Sequence, residues 1–119
     1  MKPLAFQAGG IEVAARPATV STGLDKDIVR RYIERRMDQV RWCYQQAVQR
    51  RADLAGELVV EWLITPTGAV AGAKVASSTL ADPAVDACVV GRVGTWVFPA
   101  PPGGGAVRVR YPLVFRVTR

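Results

Sequence analysis

The chain has 119 residues, half of them hydrophobic, with a formal net charge of +6, two cysteines and no histidine. That composition describes one globular domain with a modest core, and its basic balance suits acidic partners. It excludes Ser-His and Cys-His nucleophile pairs, makes a poor zinc site and contains no run of 18 apolar residues to span a membrane.

Residues 1–23 are rich in Gly, Ala, Pro, Ser and Thr and read as a flexible linker or tail, with a short strand at Ile11–Ala14. The opening MKPLAFQAGG has too short an apolar run for a signal peptide. The expectation is a cytosolic protein or a domain of a longer exported chain. Asp25 can cap a first helix, with Leu24 packing on Val29 as a hydrophobic staple. Val29, Ile33, Met37, Val40, Tyr44 and Ala47 recur at steps of 3 and 4, which predicts one helix from about Asp25 to Arg50. Arg30–Glu34 and Asp27–Arg31 are i, i+4 pairs on its outer side.

In ELVVEWLIT, residues 57–65, Leu58, Val60, Trp62 and Ile64 alternate with the other face, predicting a strand. TPTG, residues 65–68, is a turn. The second strand, about 70–77, carries Ala71, Ala73 and Val75 on one face, and the two strands form a hairpin. Asp82-Pro83 opens a second helix with apolar face Val85, Cys88, Val89 and Val93. Residues 96–105, WVFPAPPGGG, are not helical, and Trp62, Trp96 and Phe98 are read as core. Pro99, Pro101 and Pro102 are read as a stiff connector rather than a polyproline ligand. In the last strand, 106–118, Val107, Val109, Tyr111, Leu113, Phe115 and Val117 alternate with Arg108, Arg110, Pro112 and Arg116.

The order α-β-β-α-β predicts a two-layer α+β domain over residues 24–119: a three-stranded antiparallel sheet, strand order 2-1-3, with two helices on one face. The Gly103-Gly104-Gly105 run lacks the Lys-Ser/Thr of a phosphate loop, and there is no CxxC pair. No catalytic group, metal or cofactor is implied, and the expected role is non-enzymatic binding.

These words in this order resemble the C-terminal domain of TonB and TolA, most closely the AgmX/PglI C-terminal variant of gliding bacteria. The marks are Cys43-Tyr44, Gly56, the Pro66–Gly68 turn, Ser77-Ser78-Thr79, Cys88, Trp96 with Phe98-Pro99, and Tyr111-Pro112 with Phe115, spread over roughly residues 24–117. The resemblance implies a periplasmic domain at the end of an inner-membrane-anchored protein. Motors driven by proton-motive force act on the missing upstream region, and the domain grips an outer-membrane or periplasmic partner. The implied process is gliding motility or envelope transport.

In an exported domain, Cys43 and Cys88 pair as a structural disulfide if both helices share a sheet face. The alternative is two buried thiols acting as small hydrophobes. The last strand is expected to be an outer one, because prolines in sheets are confined to edges and Pro112 lacks an N–H. An extended partner peptide would add along Val107, Arg108, Val109, Arg110 and Tyr111, as the family's last strand meets its receptor. Arg108, Arg110 and Arg116 would favour an acidic peptide. They could instead guard the edge, or the strand could pair with itself into a homodimer. The arginines of the first helix are read as a solvated face, without interleaved stacking aromatics, rather than a nucleic-acid or lipid contact. A structural or oligomerisation module without a peptide ligand is the runner-up, and a small basic nucleic-acid binder the weaker alternative.

Overall fold

The computed structural model describes residues 10–118. Residues 1–9 of the expected linker lie outside the described residues. The elements are β1 (Ile11–Ala15), β2 (Thr19–Val20), α1 (Lys26–Glu34), α2 (Met37–Val48), β3 (Gly56–Ile64), β4 (Val70–Ser78), α3 (Pro83–Val93) and β5 (Val107–Val117).

The starts of α1 and α3 follow from their caps. The Asp25 carboxylate accepts the Asp27 N–H at 2.7 Å, and Asp82 accepts from Ala84 and Val85 at 3.1 and 3.2 Å, with Pro83 in the first turn. The apolar stripe Val29, Ile33, Met37, Val40, Tyr44 and Ala47 is buried as its spacing predicts. The helix that carries it is not continuous. In an unbroken helix the Arg36 N–H would bond the Tyr32 carbonyl. Here it bonds the Ile33 carbonyl at 2.9 Å, and the Arg36 guanidinium takes the Tyr32 carbonyl at 2.9 Å. The guanidinium thus satisfies the acceptor that the break releases, so α1 and α2 are separate helices.

The sheet runs β1-β5-β3-β4, all antiparallel, with β2 also on β5. The expected order β4-β3-β5 is present, and α3 carries the chain from β4 past β3 to β5. Leu58, Val60, Trp62 and Ile64 of β3 and Val107, Val109, Tyr111, Leu113 and Phe115 of β5 face the helices and are buried. Three expectations are corrected. Among the described residues the sheet has five strands, because residues 11–15 and 19–20 pair with β5. Three helices cover it rather than two. Two register slips in β4, between Ala71 and Lys74 and between Val75 and Ser77, break its alternation. Gly72, at φ +63°, sits in the first slip, so Ala71 does not share a face with Ala73 and Val75.

Several of the residues that carry the family resemblance have a packing task. Tyr44 is buried, meets Phe115 edge-on at 5.0 Å and donates its hydroxyl hydrogen to the Leu54 carbonyl. A Cβ on Gly56, at φ +152°, would lie 2.9 Å from Thr79 Oγ1. Thr79 Oγ1 accepts the Glu57 N–H at 2.8 Å. Trp96 packs against Trp62 at 6.1 Å and donates its indole N–H to Gln39 at 2.9 Å. The Trp62 indole N–H is buried without a hydrogen-bond partner among the described residues.

Cys43 of α2 and Cys88 of α3 form a disulfide, with Cα atoms 5.8 Å apart. The segment just after α2 is tied to the start of α3 at Asp82, which is buried and reached by Arg50 and Arg51 at 3.9 and 3.5 Å.

Burial pushes the Tyr44 phenol above its ordinary value of 10.0. Burial also raises Tyr111, reinforced by Glu34 and opposed by Arg30. A raised phenol favours the neutral form in the fold. Its contribution is fully present below the unfolded value and is lost as pH rises toward the folded one. The urea midpoint is therefore expected to hold level up to about pH 10 and fall above it, with a shallower fall in Tyr44→Phe and Tyr111→Phe. A midpoint that rises in that range would contradict the burial.

Candidate functional site

The last strand is the element to which sequence reasoning attached binding, and its position is the main correction. β5 is not an edge. β3 lies on one side, with Trp62 opposite Val109 and Glu57 opposite Val114. On the other side β1 runs antiparallel from Ile11 opposite Val117 to Ala15 opposite Leu113, and β2 sets Thr19 and Val20 opposite Arg110 and Val109. Of the expected docking residues, Val107, Val109 and Tyr111 are buried core, and Arg108 and Arg110 stand on the open face of the sheet.

The expectation that Pro112 marks an edge strand fails, because β1 and β2 cover the side of β5 to which it turns. The Thr118 N–H donates to the Gly10 carbonyl at 2.9 Å and the Arg16 N–H to the Pro112 carbonyl at 3.1 Å. Ladder bonds fall on alternate residues, so the even-numbered residues of β5 turn their amides toward β1 and β2. Pro112, with no N–H to give, also points that way. Opposite it the N-terminal ladder breaks, Pro17 intervenes, and pairing resumes one residue out of register. The Ser21 N–H then donates to the Arg108 carbonyl at 3.0 Å, and the Arg108 N–H to Ser21 Oγ at 2.8 Å.

Two of the three exposed arginines of β5 already have acids. Arg110 meets Glu61 at 2.6 Å, and the Arg116 Nε meets Glu12 Oε1 at 2.6 Å. Arg16 of the N-terminal segment reaches Glu57 at 3.4 Å. Arg108 has no acid partner among the described residues. Beneath the break between β1 and β2 lies a cleft of about 360 Å³ lined by Arg16, Pro17, Lys26, Asp27, Arg30, Glu34 and Tyr111, among others.

Sequence reasoning missed the roles of Glu12 and Ser21 and the pairing of their segment with β5. The short strand at Ile11–Ala14 was legible from its residues. Its partner, a hundred positions away, was not. The outer side of β4 is the other flank of the sheet, and its two register slips and Lys74 make it a poor template for pairing.

The helical face carries arginine stacks that sequence reasoning did not expect. Arg35 and Arg36 lie over the Tyr32 ring at 5.3 and 5.9 Å, and Arg92 over the exposed Trp42 at 5.0 Å. These cations are thus engaged within the chain. No helix among the described residues is long and apolar enough to cross a membrane.

Comparison with curated proteins finds no match, and neither does comparison with solved structures. The family model described as Gram-negative bacterial TonB protein C-terminal matches residues 46–117, from the second half of α2 to the end of β5. The matched span takes in the β3–β4 hairpin, α3 and the whole of β5 and is more than half of the chain, which therefore belongs to the TonB C-terminal family.

Proposed function

We propose that this domain docks a partner protein for an envelope-spanning energy- or force-transducing protein, by taking an extended segment of that partner along the outer flank of β5. Domains of the family are periplasmic protein-interaction domains of envelope-spanning proteins, without an enzymatic role. The observation that carries the finer reading lies in the chain itself. Residues 11–15 and 19–20 already lie on this flank as two short antiparallel strands, so its backbone groups can pair with an extended segment. A partner would take the same rungs. An inner-membrane motor would act through the upstream region. Cys43 and Cys88, joined as a bridge, stand at positions that carry the AgmX/PglI resemblance and support that variant, whose implied process is gliding motility.

The test is amide chemical-shift mapping of the whole chain with synthetic extended peptides from outer-membrane and periplasmic candidates. The expected shifts fall on Arg108–Arg116 and on residues 11–20 together. Shifts confined to β4 would move the docking site to the opposite edge. A stable dimer that ignores every peptide would favour the oligomerisation module.

A further inference from the structure

The resident strand shows what the flank selects. Ile11 and Val13 stand opposite Val117 and Phe115 on the helix side and pack partly buried against the core. Glu12 stands between them on the open side, where Arg116 grips its carboxylate. None of the residues 10–21 is fully buried. What holds the segment is therefore edge hydrogen bonds, four partly buried aliphatic contacts from Ile11, Val13, Ala18 and Val20, and charge pairs.

We propose that the outer flank of β5 selects a partner segment of the pattern aliphatic–acidic–aliphatic, its carboxylate set against Arg116, and that residues 11–20 are a resident competitor which such a segment replaces. The inference rests on the reading of this flank as the docking site and adds the chemistry of the occupant. Charge complementarity supports it. On β5, Arg110 is held by Glu61 of β3, within the sheet, whereas the acid on Arg116 comes from the replaceable strand. When β1 leaves, Arg116 loses its acid. An incoming segment with a carboxylate at that register restores the pair, and one with a lysine there sets like charges together.

A tethered strand competes at an effective concentration in the millimolar range. A free segment therefore binds the native chain weakly and binds it better once β1 is weakened. Ala14 serves for that purpose. It is exposed, and the alternation of the ladder turns its N–H toward β5, so Ala14→Pro removes one rung without touching the flank.

The experiment uses the full chain and a fluorescein-labelled peptide, GIEVAARPATVS, which repeats residues 10–21, read by fluorescence anisotropy. Ala14→Pro is expected to bind it at least about tenfold more tightly than the native chain. A second peptide, GIKVAARPATVS, is expected to bind Ala14→Pro about tenfold more weakly. Adding Arg116→Glu should reverse that preference, a rescue that mere damage to the fold would not give. Should Ala14→Pro fail to fold, Glu12→Lys opens the flank by charge repulsion with every rung kept.

Equal binding of the two peptides would overturn the selection by Arg116 and leave the docking reading standing. No binding of either peptide to a folded, opened chain would end both. A concentration-dependent dimer abolished by Ala14→Pro would make the occupant a second copy and overturn the choice of a partner protein.

Discussion

Without the Cys43–Cys88 bridge the domain is expected to lose about 4 kcal/mol of stability. The bridge closes a loop with a sequence separation of 45. In the chain-entropy model, freeing a loop of that length restores about 4 kcal/mol of entropy to the unfolded chain. In the fold, the bond joins α2 to α3, and Cys43 sits inside the core, so Cys43→Ala adds a small packing loss. For a domain of about 100 residues, 4 kcal/mol corresponds to a fall in Tm of about 15 °C or more. Thermal unfolding with and without reductant, and in Cys43→Ala/Cys88→Ala, measures it. A difference below about 1 kcal/mol would show that the helices are held by their other contacts, Asp82 with Arg50 and Arg51 among them.

Gly68→Ala is expected to cost as much by another route. Gly68 ends the TPTG turn at φ +93°, and a Cβ there would lie 2.1 Å from the Phe98 carbonyl oxygen. The Gly68 carbonyl accepts the Phe98 N–H at 2.8 Å, so the turn and the segment after α3 are stapled back to back. The backbone conformation alone costs a side chain about 1 kcal/mol, and the collision moves backbone rather than a flexible side chain. Trp96 and Phe98, both buried, are then drawn from the core, for a total of about 4 kcal/mol. Gly91→Ala is the control. A Cβ there meets nothing within 4 Å, and in the last turn of α3 the change is expected to stabilise by about 0.5–1 kcal/mol. Urea unfolding of the two variants should give opposite signs, and matching signs would refute the account.

The parts of this fold that were legible in the sequence are those whose cause is local. Asp25 and Asp82-Pro83 mark helix starts because a carboxylate caps the bare amides that follow it. The alternation from Val107 to Val117 marks a strand because one face is buried. The break at Arg35–Arg36 was not legible. At the break the Arg36 guanidinium takes a carbonyl four residues back, a contact only the folded chain shows, and the apolar stripe runs through unchanged. The cover on β5 was hidden for a related reason. Pro112 suggested an edge strand, yet the side of β5 away from β3 is paired with β1 and β2. What lies against that side is a weakly apolar segment at the far end of the chain, and no periodicity reports a pairing between residues 11 and 117. The site residues divide the same way. Arg108 and Arg110 were placed on the solvent face by alternation, while the acid that meets Arg116 could come only from the folded arrangement.

The antiparallel sense of β1 has a mechanical consequence. Gly10 and Thr118 are bonded neighbours at one corner of the sheet, and β1 runs from there along β5 toward Pro112. A load applied on the N-terminal side of residue 10 and directed away from the sheet falls on that corner rung first and then on the next. Strands loaded in this way peel one bond at a time instead of shearing all their bonds together. The covering hem yields at a small pull, while the two helices behind the sheet stay joined to each other by their sulfur bridge.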